Sequence, residues 1–408
     1  MMFSRNVLLS LLAGSLPLLR AASLQRITTS FGANPTNVGF YIFVPDQLAT
    51  RPPILVNPHW CHGDANAAYS GSQYATLAGK YGFIVIYPDS PNLSDHCWDV
   101  SSSQTLTHNG GGDSLGIVNM VKWTIDKYKG DPSRIFVTGV SSGAMMTNVL
   151  VGAYPDIFAG GSAFAGVAFG CFAAGINNTS NYDYWNDQCA TGKVTHTPEA
   201  WKAIVQSALP GYSGWRPKMQ VFHGTADEVL NYVNFGEEVK QWTAVLGLNQ
   251  APVVTTQDSP VTGWTEYNYD NSSWFEAYSA AGVSHNIQVQ ENTVMNFFDL
   301  TCVSGPCFHW GQGGSSTSSS STAGDPTASS VSKTSRAMLT TTIRTSHSVT
   351  PTSSTATAVP LYGQWLVILP SLHTDTADAT LPAEELGMMD SKPVNREHAP
   401  LTIPITHR

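Results

Sequence analysis

Apolar positions in this chain follow two rhythms that take turns. Short runs rich in β-branched and aromatic residues, namely Gly39 to Val44, Pro53 to Asn57, Phe83 to Tyr87, Arg134 to Thr138, Gly161 to Ala165 and Lys218 to Phe222, read as strands. Between them, apolar residues recur every three or four positions over Ala68 to Tyr81, Ser114 to Tyr128, Ser142 to Tyr154 and Glu199 to Ala208, which read as helices. Ile117, Met120, Val121, Thr124 and Ile125 make one stripe on the second of these. Strands alternating with helices predict an α/β fold, with a mostly parallel sheet covered on both faces. An aromatic run, Trp274 to Tyr278, and a helical stretch, Thr293 to Leu300, close the patterned region.

Both ends depart from this pattern. Residues 1–23 carry Arg5, an apolar stretch from Val7 to Leu19 and then Ala21, Ala22 and Ser23, the three-part form of a secretory signal peptide and too short to span a membrane. One folded domain is expected over residues 24–305. From 306 to 358 Ser and Thr take over, a composition that cannot bury enough apolar surface to fold and reads as a disordered, O-glycosylated linker. Val359 to Gln364 resembles the opening of a fungal cellulose-binding module. Trp365 stands where that family carries Cys-Gly-Gly, and no cysteine follows Cys307, so residues 359–408 read as a degenerate or misread tail.

Charge and cysteine usage narrow the chemistry. With 408 residues, 42% of them hydrophobic, the chain can bury a large core. A net charge of −9 and the lack of any basic cluster exclude a nucleic-acid surface, and no later segment is apolar enough to span a bilayer. An extracellular monomer with a neutral or mildly charged partner is expected. In an exported chain, Cys61, Cys97, Cys171, Cys189, Cys302 and Cys307 suggest up to three disulfides. Proximity favours Cys171 with Cys189 and Cys302 with Cys307, which leaves Cys61 with Cys97. No CxxC or His-bearing ligand spacing points to a metal, and no cofactor motif is present. Asn92, Asn177, Asn178 and Asn271 head N-x-S/T sequons and are expected glycan acceptors.

The strongest chemical signal is Gly139-Val140-Ser141-Ser142-Gly143, a G-x-S-x-G sequence where a strand runs into a helix. Only Ser141 has glycines at both required offsets, which places it as a nucleophile on a tight turn. In such folds the order along the chain is nucleophile, acid, base. Asp227, in a loop directly after the strand Lys218 to Phe222, is the expected acid. His285, in the small-residue loop Ala281 to Asn286, is the expected base. His59, His62, His96 and His108 precede Ser141 and fit that order poorly; His196 sits in a polar excursion, and His223 reads as a donor supporting the Asp227 loop. Oxyanion donors are expected from the backbone N–H of Ser142, at a helix N-terminus, and of Cys61, in the loop after Pro53 to Asn57. Among Trp98, Trp185, Trp201 and Trp215, Trp98 is expected beside the site as a flat face for sugar.

Several longer stretches carry a resemblance: His59-Trp60-Cys61, Cys97-Trp98-Asp99, Thr107 to Ser114, Thr138 to Asn148 and His223 to Asp227. Together they resemble the fungal acetylxylan esterases, in a carbohydrate esterase family that includes feruloyl esterases and is related to polyhydroxybutyrate depolymerases. The resemblance spans roughly Leu24 to Leu300. It implies an α/β-hydrolase fold and a secreted serine esterase that removes acetyl groups from xylan through an acyl-serine intermediate, with Ser141, Asp227 and His285 matching the family's triad. Trp60, His62 and Phe297 to Leu300 depart from the family's pattern, the last expected to touch only the domain's edge. A feruloyl esterase or polyester depolymerase of the same fold, and a noncatalytic wall or adhesion protein, are the alternative readings.

Overall fold

A computed structural model of the chain describes residues 22–173, 184–270 and 274–311. All of these lie in the first of two units, Met1–Thr322. The signal segment, most of the linker, the tail and the sequons at Asn177, Asn178 and Asn271 lie outside the described residues.

Ten strands form one sheet: β1 (Gln25–Ile27), β2 (Gly39–Phe43), β3 (Ile54–Val56), β4 (Ile84–Asp89), β5 (Ile135–Val140), β6 (Gly160–Phe164), β7 (Lys218–Gly224), β8 (Val254–Gln257), β9 (Trp264–Asn268) and β10 (Phe275–Ala280). Their spatial order is β1-β2-β4-β3-β5-β6-β7-β10-β9-β8. The six strands from β4 to β10 in that order run parallel, and β1, β2, β9 and β8 are added antiparallel at the two margins. The helices are α1 (Ala65–Ser70), α2 (Tyr74–Tyr81), α3 (Gly112–Tyr128), α4 (Ser142–Ala153), α5 (Asp187–Ala190), α6 (Pro198–Ser207), α7 (Val233–Leu246) and α8 (Glu291–Phe297).

Period-two alternation splits the central strands between two cores. Ile54, Val56, Ile84, Ile86, Ile135 and Val137 join the core that also takes buried residues of α3, α4, α6 and α7. Their neighbours Leu55, Val85, Tyr87 and Phe136 join the other, with α1, α2 and α8. Near the C-terminal ends of three adjacent strands, Phe164, Phe222 and Tyr278 stack face to face, with centroids 4.1 and 4.4 Å apart. The loops that carry Asp227 and His285 follow the second and third of these strands.

Three expectations are corrected. The helix expected over Ala68 to Tyr81 is two helices, because Ser70-Gly71-Ser72 ends the first; α1 starts earlier, where Asp64 accepts the Ala67 N–H. The folded part runs past residue 305: Cys302–Cys307 is a disulfide, Phe308 packs on Phe136, and the Trp310 N–H donates to Ser133 O at 2.8 Å. The stretch Phe297 to Leu300 is not peripheral either. Phe298 is fully buried and stacks on Phe136 at 4.6 Å, while Arg134 donates to the Asp299 carbonyl.

Candidate active site

Ser141 sits between β5 and α4 at φ 55°, ψ −121°, a conformation that L-residues avoid. The turn closes because its flanking glycines have no side chains. A Cβ on Gly139 would fall 2.5 Å from the Gly143 carbonyl group, and one on Gly143 would fall 2.2 Å from Pro58 O. The second approach presses the loop after β3 against the first turn of α4.

From that turn a continuous relay runs outward. His285 Nε2 lies 2.8 Å from Ser141 Oγ, and His285 Nδ1 lies 2.8 Å from Asp227 Oδ2. Asp227 accepts the N–H groups of Val229 and Leu230 on its other oxygen, at 2.9 and 2.7 Å. Burial by itself would raise the Asp227 pKa. Hydrogen bonds from His223 and His285, and their charge, outweigh burial and hold the carboxyl well below the usual range. An ionised Asp227 fixes the proton of His285 on Nδ1, which leaves Nε2 free to accept from the serine hydroxyl. The loop that carries His285 is braced by Glu228, which accepts the His285 N–H at 3.1 Å, and by Val283, whose carbonyl accepts the Ala226 N–H.

The structure brings Ser141, His285 and Asp227 together and sets Ser142 at the first position of α4, where a backbone N–H has no intrahelical acceptor. Cys61 lies in the loop pressed on that turn, bonded to Cys97. The other disulfides are Cys171–Cys189 and Cys302–Cys307. His223 faces the Asp227 loop, with Nε2 2.8 Å from Leu230 O and 3.2 Å from Asp227 Oδ2. His59 and His108 bond elsewhere, to Trp60 O and Asp156, and His196 packs on Trp201. Asn92 donates to Asp95 and accepts from Ser94 of its own sequon.

Trp98 is a correction: only 1% of it is exposed, so it offers no face to a sugar. Its indole N–H donates to His59 O and its backbone N–H to the Ser142 hydroxyl, both at 2.8 Å, so it clamps the Cys61 loop to the turn that carries Ser141. Trp201 is also buried, whereas Trp185 and Trp215 are exposed. Glu228, the Ser142 hydroxyl and the buried Glu238 of α7 were not anticipated.

A family model described as esterase PHB depolymerase matches residues 38–249. Acetylxylan esterase A of Emericella nidulans is 52% identical over 274 residues, covering 67% of this chain and 88% of that protein. Probable acetylxylan esterase A of Aspergillus clavatus is 50% identical over 283 residues, covering 68% and 89%. Among solved structures, the acetyl xylan esterase from Aspergillus awamori matches with a TM-score of 0.65 at 48% identity, over 68% of this chain and 99% of that one.

Proposed function

The chain belongs to the esterase PHB depolymerase family and is a carboxylic ester hydrolase with an α/β-hydrolase fold, and on that premise we propose that it is a secreted monomer that hydrolyses acetyl esters on xylan. The observation that carries the mechanism is the unbroken relay from Ser141 Oγ through His285 to Asp227. His285 takes the Ser141 proton as Oγ attacks the acetyl carbonyl, and the oxyanion that forms is met by the N–H groups of Ser142 and Cys61. The imidazolium, held by Asp227, returns its proton to the departing sugar oxygen. The same ring then deprotonates water, which attacks the acyl-serine and releases acetate.

The choice of acetyl is supported by the named relatives. Trp185, 45% exposed in the segment after β6 and packed edge-on against Phe172, supplies the flat face for sugar that Trp98 does not. Acetate release from acetylated xylan, measured beside cleavage of methyl ferulate, is the test. Acetate release is expected to dominate and to fall by at least ~10³-fold in Ser141→Ala. Faster ferulate cleavage would reverse the assignment of substrate, and an active Ser141→Ala would remove the mechanism.

A further inference from the structure

Behind Asp227 lies a second set of buried ionisable groups that the reaction above does not use. Both neighbours of His223 Nε2, the Leu230 carbonyl and the Asp227 carboxylate, can only accept. The ring therefore carries its proton on Nε2 and turns a bare lone pair at Nδ1 into the interior, where no hydrogen-bond partner meets it among the described residues. Glu238, fully buried on α7, is the acidic group whose ionisation is coupled to this ring. Its Oε1 accepts from Asn148 Nδ2 at 2.8 Å, and Asn148 Oδ1 in turn accepts the Trp242 indole N–H at 2.7 Å. An indole can only donate, so the orientation of Asn148 is fixed and its amide nitrogen must face Glu238. The second oxygen, Oε2, has no partner among the described residues.

Each group thus buries one atom of opposite need, a lone pair without a donor and a carboxyl oxygen without a partner, and the two groups lie close enough for their charges to couple. We propose that Glu238 and His223 are positioning residues, one proton held between the Glu238 carboxyl and His223 Nδ1 across one water, fixing the ring whose Nε2–H steadies Asp227. The relay then continues inward from Asp227 to His223, Glu238 and Asn148, and Asn148 lies on α4, the helix that begins at Ser141. Burial pushes the Glu238 carboxyl up to about 7, offset in part by His223 and Asn148, so it keeps a proton to share through mildly acidic conditions. The other ionisable groups around this arm are Tyr232, edge-on to His223 at 6.0 Å, and Glu228 and His285 at its outer end.

This inference rests on the reading of Ser141, His285 and Asp227 as the reacting groups. Its test follows hydrolysis of 4-nitrophenyl acetate by the full chain from about pH 5 to about pH 9, with kcat and KM separated. Glu238→Met, which cannot donate, is expected to lower kcat ~10-fold or more with KM within about 2-fold. It is also expected to move the acid limb of kcat/KM upward by about 0.5 pH unit, because a less supported Asp227 leans harder on protonated His285. Glu238→Gln supplies a permanent donor and is expected to recover most of kcat. The arm is overturned if Glu238→Met keeps the wild-type kcat and acid limb, or if Glu238→Gln falls as far as Glu238→Met. Should Glu238→Met fail to fold, the ¹⁵N shift of His223 Nδ1 in the wild-type chain decides: a hydrogen-bonded value supports the arm and a free lone-pair value overturns it. Ser141→Ala, run in parallel, separates the two readings. Its retained activity would remove the reacting groups themselves, whereas an inactive Ser141→Ala beside an unimpaired Glu238→Met would remove only the outer arm.

Discussion

Single residues at the turn after β5 leave almost no latitude. A Cβ at position 143 would lie 2.2 Å from a backbone oxygen that cannot swing aside, so Gly143→Ala is expected to cost roughly 3 kcal/mol and to lower the melting temperature measurably. It should also reduce hydrolysis beyond what the lost stability explains, because the same contact sets the Cys61 loop against Ser142. Asp227→Asn keeps the volume but lets the amide donate to His285, which favours the wrong tautomer; kcat is expected to fall by ~10⁴ while the thermal melt stays cooperative. The depressed Asp227 pKa also has a pH signature. The folded pKa lies below the unfolded value of about 3.9, so this carboxylate stabilises the fold above that pH and the contribution fades as pH falls below it. Acid unfolding of Asp227→Asn should therefore lack the part of the slope below about pH 4 that the wild type shows. The places of Ser141, Asp227 and His285 in chain order were legible because glycine spacing and strand ends constrain the backbone. The direction of Trp98 was not, since a loop residue near a site faces inward or outward according to contacts that only the fold makes.

At the level of elements, the central strands were readable because each is apolar on both faces, and their observed bounds shift by only a residue or two. The strand β8 escaped notice because all four of its residues are exposed and only half of its edge is paired. Helix α7 escaped for the opposite reason: its buried face carries Asn234, Glu237, Glu238 and Gln241, so the polar positions that normally mark the solvent side lie inside. These groups are bonded to Cys189 O, to the Trp201 indole, to Asn148 and to the backbone of Phe169, which makes the helix a polar bracket for the loops around it. One stability prediction belongs here. Glu238 keeps its proton in the folded state up to about 7 but loses it in the unfolded chain near 4.3. Between those values the folded state binds more protons, so stability declines as pH rises through that window, by ~4 kcal/mol. Melting temperatures of Glu238→Gln should lack that decline, and identical pH profiles for the two proteins would contradict the protonated carboxyl.

For the molecule as a whole, the boundary of the folded part was set too early by composition, because Cys307, Phe308 and Trp310 stand among small and polar residues that resemble the linker after them. A chain ending after Gly311 is expected to melt and hydrolyse ester like the full-length protein. A chain ending after Leu300 should melt several degrees lower, since it loses the packing of Phe308 on Phe136 and the bond from His309 to Ser133. That last contact also fixes a polarity. Ser133 precedes β5 and Ser141 follows it, so Trp310, bonded to Ser133, and the Ser141 hydroxyl stand at opposite ends of one strand, roughly 25 Å apart. Gly311, the next residue, therefore lies by the end of β5 that is remote from Ser141, so a group fused at that point joins the described domain on the side away from the hydroxyl.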